Sequence, residues 1–175
     1  MLQLTDGSCL QNADFSSEAV RLGLDVESKQ EPSRAMQWMQ TDFRSWKDVS
    51  KLLPFSPFDS ILDKSTSDAI ATGAPVEVTS NTSDACPTVL DYSSHEDGIA
   101  SPPVELLGLH LVPLTTRGSR WFVMSYSTMR FDNIARLWTY WKLVDRKPFE
   151  AARGTTASGA HAPSVYHWMY ILERK

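Results

Sequence analysis

The chain has 175 residues and is 42% hydrophobic and 22% charged, which is typical of an ordinary globular domain with one sizeable core. Its formal net charge of -4 gives no general attraction to phosphate backbones or anionic membranes, so we expect neither as a partner. The cysteines, Cys9 and Cys86, form no paired motif, which indicates a reducing, cytoplasmic location. No apolar run reaches the ~20 residues of a membrane span.

Strand and helix signals alternate in the first half of the chain. Residues 9–15 are short and apolar and predict a strand, after which Ser16 is placed to cap a helix over residues 17–30. Residues 35–41 predict a second strand, followed by a loop with a short helical piece. Residues 58–63 predict a third strand that leads into a short helix.

Residues 74–98 are rich in Ser, Thr, Pro and Asp, with few large apolar side chains. We expect this stretch to be a flexible insertion without packed structure. After it, Ser101 is placed to cap a helix in which Val104, Leu107 and Leu111 recur on one face. This spacing predicts a helix with a single buried side.

Strand signals dominate the C-terminal part. Gly118 lies in a turn before residues 121–127, which are nearly all apolar and predict a strand covered on both faces. Residues 130–140 predict a helix, and residues 141–149 and 165–173 predict the last two strands. Because only a loop of small residues joins these two strands, we expect an antiparallel hairpin. The alternation as a whole predicts an α/β fold with a mostly parallel sheet.

Three of the predicted strands end in an acidic residue: Asp14, Asp42 and Asp63. In open α/β sheets the carboxyl ends of parallel strands share one edge, and ligands bind there. Asp14 is placed to accept both hydroxyls of a ribose diol, and Asp42 to accept from an exocyclic amine such as that of adenine. Aspartate is also common where strands turn into loops, so a purely structural interpretation stays open for each position.

The segments NADFSSEAV, MQWMQTDFRSW, FDSILDKSTSDAI, WFVMSYSTMRF and VYHWMYILERK together resemble one branch of the class I S-adenosylmethionine-dependent methyltransferases. That branch includes the protein-lysine methyltransferases that act on elongation factor 1A and on citrate synthase. Its most specific piece is Asp-Lys-x-Thr-x-Asp-Ala, here residues 63–69. The resemblance implies a Rossmann-like domain that uses S-adenosyl-L-methionine to methylate a lysine of a protein substrate, with a translation factor as one candidate.

The resemblance also implies which residues hold the cofactor. Asp14 would bind the ribose hydroxyls, with Phe15 beside the adenine. Asp42, followed by Phe43, would bind the adenine edge. Asp63 would lie beside the methionine part of the cofactor.

The Asp-Lys-x-Thr-x-Asp-Ala piece carries the implied substrate side. Asp63 and Lys64 would be the catalytic residues at the substrate entrance, with Asp63 as the nearest candidate for a general base. Thr66 and Asp68 would shape the start of the next helix. Ser65 stands where the family has a glycine, and because serine lacks the backbone freedom of glycine, we expect strain in this turn.

The family also begins with a strand and a glycine-rich loop that approaches the sulfonium end of the cofactor, and no such segment occurs in this sequence. We therefore expect the first strand to be missing, with weak stability and low cofactor affinity as the result. One alternative function is a non-catalytic methyltransferase-like remnant that acts as a binding protein. Another is a nicotinamide-dependent oxidoreductase, which the lack of G-x-G-x-x-G disfavours. No metal site is expected, because His161 and His167 have no nearby cysteine.

Overall fold

A computed structural model describes residues 10–31, 36–78, 85–93, 99–150 and 165–175. The strands are β1 (Gln11–Asp14), β2 (Gln37–Gln40), β3 (Ser60–Lys64), β4 (Val76–Val78), β5 (Ile99–Ser101), β6 (Arg120–Ser125), β7 (Trp141–Glu150) and β8 (Tyr166–Arg174). The α-helices are α1 (Ser17–Glu27), α2 (Trp46–Val49), α3 (Thr66–Ile70), α4 (Pro87–Ser93), α5 (Pro103–His110) and α6 (Leu137–Tyr140), with 3-10 helices at Ser50–Phe55 and Val112–Leu114. This order confirms the predicted α/β class.

The chain divides into two compact units, Met1–Ser56 and Pro57–Lys175. The organisation of the whole chain as a single domain stays a prediction. None of the described helices is long and apolar enough to cross a membrane.

The first unit is built on a parallel pair of strands joined by helix α1. Strand β1 lies parallel to β2, with Asp14 opposite Gln40. Ser16 caps α1 as predicted, because its Oγ accepts a hydrogen bond from the N–H of Ala19 at 3.2 Å. Gly23 allows α1 to approach β2 closely, since a Cβ at this position would lie 2.3 Å from Cε2 of Trp38.

The second unit is built on a four-stranded sheet in the order β3-β6-β8-β7. Strand β3 is parallel to β6, whereas β8 runs antiparallel to both β6 and β7. The predicted antiparallel hairpin of the last two strands is therefore confirmed. Among the described residues, β3 and β1 each have a strand partner on one side only.

Helix α5 forms the centre of the hydrophobic core of this unit. The predicted face of Val104, Leu107 and Leu111 is buried, as expected. Burial also extends to every other residue of α5, which the sequence pattern did not predict. The reason is that other helices cover the sides of α5 that the sheet does not reach. At Gly108 the helix accepts a hydrogen bond from Nε1 of Trp141 at 3.0 Å, and both Trp141 and Trp121 are fully buried.

The stretch 74–98 contains packed structure, contrary to expectation. Helix α4 lies within it, and Cys86 and Val89 are 1% and 4% exposed. Strand β4 pairs with β5 in an antiparallel manner. Burial of a few apolar side chains therefore outweighs the polar composition of the surrounding residues.

Two predicted element boundaries were also wrong. Ser101 does not cap α5, because Pro102 occupies the cap position and the Ser101 hydroxyl donates to the Glu105 carboxylate instead. Of the predicted helix over residues 130–140, only α6 is helical. Phe131 lies in the turns before α6 and is buried there, so tertiary packing and not helical periodicity sets its position. The predicted loop at 151–164 lies outside the described residues.

Candidate functional site

The carboxyl edge of the strand pair in the first unit carries the residues expected to bind adenosine. Strand β1 ends at Asp14, and its carbonyl accepts a hydrogen bond from the N–H of Thr41, so Asp42 follows directly at the same edge. Oδ1 of Asp14 accepts a hydrogen bond from the N–H of Ser16 at 2.8 Å. Within the described residues, no donor bonds to Oδ2 of Asp14. One oxygen therefore orients the carboxylate, while the other, without a donor in the described part of the chain, can accept from a ligand.

The two aromatic residues that follow these acids differ in exposure. The Phe15 side chain is 68% exposed beside Asp14, and its backbone carbonyl accepts a hydrogen bond from the Gln40 side chain. Phe43 is only partly exposed. An apolar ring that remains in water at a strand end provides a surface on which a flat heterocycle can stack.

Asp42 is held by an arginine two residues further along the chain. Nε of Arg44 donates to Oδ1 of Asp42 at 3.0 Å, and the second nitrogen of the fork reaches Oδ2 at 2.9 Å. The Asp42 carboxylate holds the pKa of Arg44 above its ordinary value through these hydrogen bonds. An adenine amine that donated to Asp42 would therefore share its carboxylate oxygens with the Arg44 guanidinium, which already donates to both.

Asp63 in the second unit is turned onto the start of helix α3. Its carboxylate is 7% exposed and accepts hydrogen bonds from the N–H groups of Thr66 at 2.8 Å and Ser67 at 3.2 Å. Burial raises the pKa of Asp63 well above its ordinary value, to about 6, although the bonds from these N–H groups oppose the increase. The residue thus fixes the strand-to-helix turn, while the side chain of Lys64 is exposed at the same strand end.

Ser65 adopts the left-handed backbone conformation that the glycine of the resembled family would adopt freely. Its φ is 67° and its ψ is 6°, and it is the one non-glycine residue with positive φ in the described part of the chain. The predicted strain at this turn is therefore confirmed.

Asp68 joins helix α3 to the end of strand β6. Its Oδ1 accepts a hydrogen bond from the Ser125 hydroxyl at 2.5 Å, and its Oδ2 accepts one from the N–H of Tyr126 at 2.9 Å. The Arg130 guanidinium pairs with the same carboxylate at 2.6 Å, and both side chains are largely buried. We call this group of Asp68, Ser125, Tyr126 and Arg130 the Asp68 clamp. The sequence analysis identified the segments that contain Asp68 and Arg130 separately. Nothing in the sequence indicated that these two distant residues are in contact.

Aromatic side chains lie beside the clamp on one face of the sheet. The Tyr126 and His167 rings have centroids 4.5 Å apart, and His167 stacks on Phe149 at 5.4 Å. We call these three residues the aromatic row. Behind the clamp, the Tyr170 hydroxyl donates to the carbonyl of Ser127 at 2.6 Å. Sequence reasoning did not find the row, because Phe149 in β7, His167 in β8 and Tyr126 after β6 are brought together only by the fold.

The structure therefore groups the predicted site residues in two sets. Asp14, Phe15, Asp42 and Phe43 lie at the strand ends of the first unit. Asp63 and Lys64 lie at the end of β3 in the second unit, next to the clamp. Within the described ranges, no group of three His, Cys, Asp or Glu residues is arranged to hold a metal ion.

Solved structures with a similar fold include a SAM-dependent methyltransferase. A SAM-dependent methyltransferase from Anabaena variabilis matches with a TM-score of 0.57 and 9% identity, covering 95% of this chain and 68% of its own. A protein described for the conversion of a disulfide bond into a thioacetal group during echinomycin biosynthesis matches with a TM-score of 0.57 and 11% identity, covering 96% and 67%. No protein-family model and no curated protein matches the sequence. These similarities show a Rossmann-like methyltransferase fold.

Proposed function

We propose that this chain is a methyltransferase domain that uses S-adenosyl-L-methionine. The observation that supports this most directly is the Asp14 carboxylate at a strand end. One of its oxygens is bonded to the N–H of Ser16, and the other has no donor among the residues that the structure describes. A ribose diol requires an acceptor of this kind, and the exposed ring of Phe15 stands beside it. The fold is that of a SAM-dependent methyltransferase from Anabaena variabilis, which makes this ligand the natural choice.

We further propose that the methyl acceptor is a lysine of a protein, with a translation factor as one candidate. The support is the Asp-Lys-x-Thr-x-Asp-Ala piece, residues 63–69, together with its contact to the Ser125–Arg130 segment through the clamp. S-adenosylmethionine supplies a methyl group on a sulfonium centre, so the protein must mainly align donor and acceptor. In this proposal Asp63 positions the turn at the substrate entrance, and the exposed Lys64 lies at that entrance.

The first experiment is a calorimetric titration of the purified chain with S-adenosylhomocysteine. The test variant is Asp14→Asn, because asparagine keeps an acceptor for the N–H of Ser16 but loses the carboxylate. Asp25→Asn is the matched control, since Asp25 is an exposed carboxylate on α1 that pairs with Lys29. We expect micromolar binding that weakens at least about tenfold in Asp14→Asn and persists in Asp25→Asn. Equal binding by Asp14→Asn would show that the ribose site lies elsewhere.

A second candidate is a methyltransferase-like binding protein without activity. Two observations favour it. The Asp42 carboxylate is already paired with Arg44. In the described ranges, none of the loops that lead from the end of a strand into a helix contains a glycine. The methionine end of the cofactor therefore lacks a matching loop among the described residues. A folded chain that binds no S-adenosylhomocysteine in the same titration would support this candidate.

A further inference from the structure

The Asp68 clamp joins helix α3 both to the last residue of β6 and to the segment that follows it. One carboxylate bonds to the Ser125 hydroxyl, the N–H of Tyr126 and the Arg130 guanidinium. The side chains of Asp68 and Arg130 are only 12% and 17% exposed, so the ion pair is shielded from water. A second group of bonds also fixes the segment. The Tyr170 hydroxyl donates to the carbonyl of Ser127 and accepts from the N–H of Arg130.

The side chain that this arrangement orients does not contribute to the core. Tyr126 is 62% exposed, although its backbone N–H is fixed by Asp68 at 2.9 Å. Its ring continues into the aromatic row with His167 and Phe149. An exposed aromatic ring on a rigid backbone loses little conformational entropy when it binds a ligand. The clamp therefore fixes the backbone from which this exposed aromatic surface projects.

We propose that Asp68 is a positioning residue that presents Tyr126 and the aromatic row to the amine-bearing side chain of the methyl acceptor. This inference rests on the proposed function and specifies its acceptor side. The faces of aromatic rings attract ammonium groups, and they also provide an apolar wall beside a neutral amine. Tyr126 follows the end of β6, which is parallel to β3, so the row stands at the same sheet edge as Lys64.

The test compares four variants of the full chain with poly-L-lysine as acceptor and S-adenosylmethionine labelled in its methyl group. Asp68→Asn weakens the clamp, and Tyr126→Ala removes the ring while leaving the clamp intact. Asp132→Asn removes an exposed carboxylate from the same segment, and Tyr166→Ala removes an exposed tyrosine outside the row. These last two are matched controls.

We expect Asp68→Asn and Tyr126→Ala to raise the KM for poly-L-lysine about tenfold, with kcat changed less than about threefold. The affinity for S-adenosylhomocysteine should be unchanged in both variants, and the controls should match the parent chain. An unchanged KM in Tyr126→Ala, which is a surface substitution and should fold, overturns the acceptor contact. Cofactor binding without any transfer to poly-L-lysine overturns the amine as acceptor class.

Amide hydrogen exchange separates this inference from the proposed function. If Asp68 positions the segment, exchange at residues 126–130 becomes at least about tenfold faster in Asp68→Asn and stays slow in Asp132→Asn. Unchanged exchange in Asp68→Asn overturns the positioning role even in an active enzyme. Absence of S-adenosylhomocysteine binding in the parent chain overturns the proposed function and the acceptor contact with it, while the exchange result still decides the role of Asp68.

Discussion

Replacing Asp63 by asparagine should remove a pH dependence of the free energy of unfolding. Burial raises the pKa of Asp63 to about 6 in the folded chain, whereas an aspartate in an unfolded chain titrates near pH 4. Below pH 4 both states carry the proton, and between pH 4 and 6 only the unfolded state loses it. Stability therefore falls as the pH rises through this window, by about 3 kcal/mol, and the loss is complete above pH 6.

The assay is urea unfolding at pH 4 and pH 7.5, followed by tryptophan fluorescence, for the parent chain and Asp63→Asn. Asparagine cannot ionise, and its weaker capping of Thr66 and Ser67 adds only an offset that is the same at both pH values. An unfolded aspartate is already about half ionised at pH 4, so the variant should gain about 2 kcal/mol relative to the parent between the two conditions. Asp59→Asn, an exposed carboxylate next to the same strand, controls for the change in net charge. A relative stability that is equal at both pH values would refute the reasoning and show that the N–H groups of α3 compensate for burial.

Two further substitutions test the backbone geometry. Ser65→Gly should stabilise the chain by about 0.5–1 kcal/mol, because the left-handed conformation costs serine about 1–2 kcal/mol and the flexibility of unfolded glycine offsets only part of this. The control is Ser65→Ala, which keeps the strained backbone and should not raise the urea midpoint. A Ser65→Gly chain that is less stable than the parent would contradict this account. Gly23→Ala should destabilise by about 1 kcal/mol or more, because a Cβ 2.3 Å from Cε2 of Trp38 forces an overpacking cost that exceeds the gain in helix propensity. Near-ultraviolet circular dichroism of the tryptophans during urea unfolding would measure the loss, and a more stable Gly23→Ala chain would show that the ring moves aside freely.

The sequence alone determined those features that depend on neighbours in the chain. The Ser16 cap follows from one hydroxyl three residues from the amide of Ala19, and structure and sequence agree there. The strands of the second unit were predicted from runs of apolar residues, and β6 and β8 lie where those runs occur. The strain at Ser65 was predicted from a residue type in a motif, and its backbone angle of 67° confirms it.

The tertiary structure alone decided which distant side chains meet. Asp68 and Arg130 pair across 62 positions of sequence, and an acid and a base at that separation carry no local signal of contact. Packing also decided secondary structure where propensity was weak, as in α4, where burial of Val89 outweighs a polar composition. Helix α5 shows what periodicity does not predict. The spacing of its apolar residues predicts a buried face, but it does not predict how many neighbouring elements surround the helix. Contributions of about 1 kcal/mol from helix propensity and capping depend on neighbouring residues and can be predicted from the sequence. The larger free energies of burial depend on which elements the fold brings together.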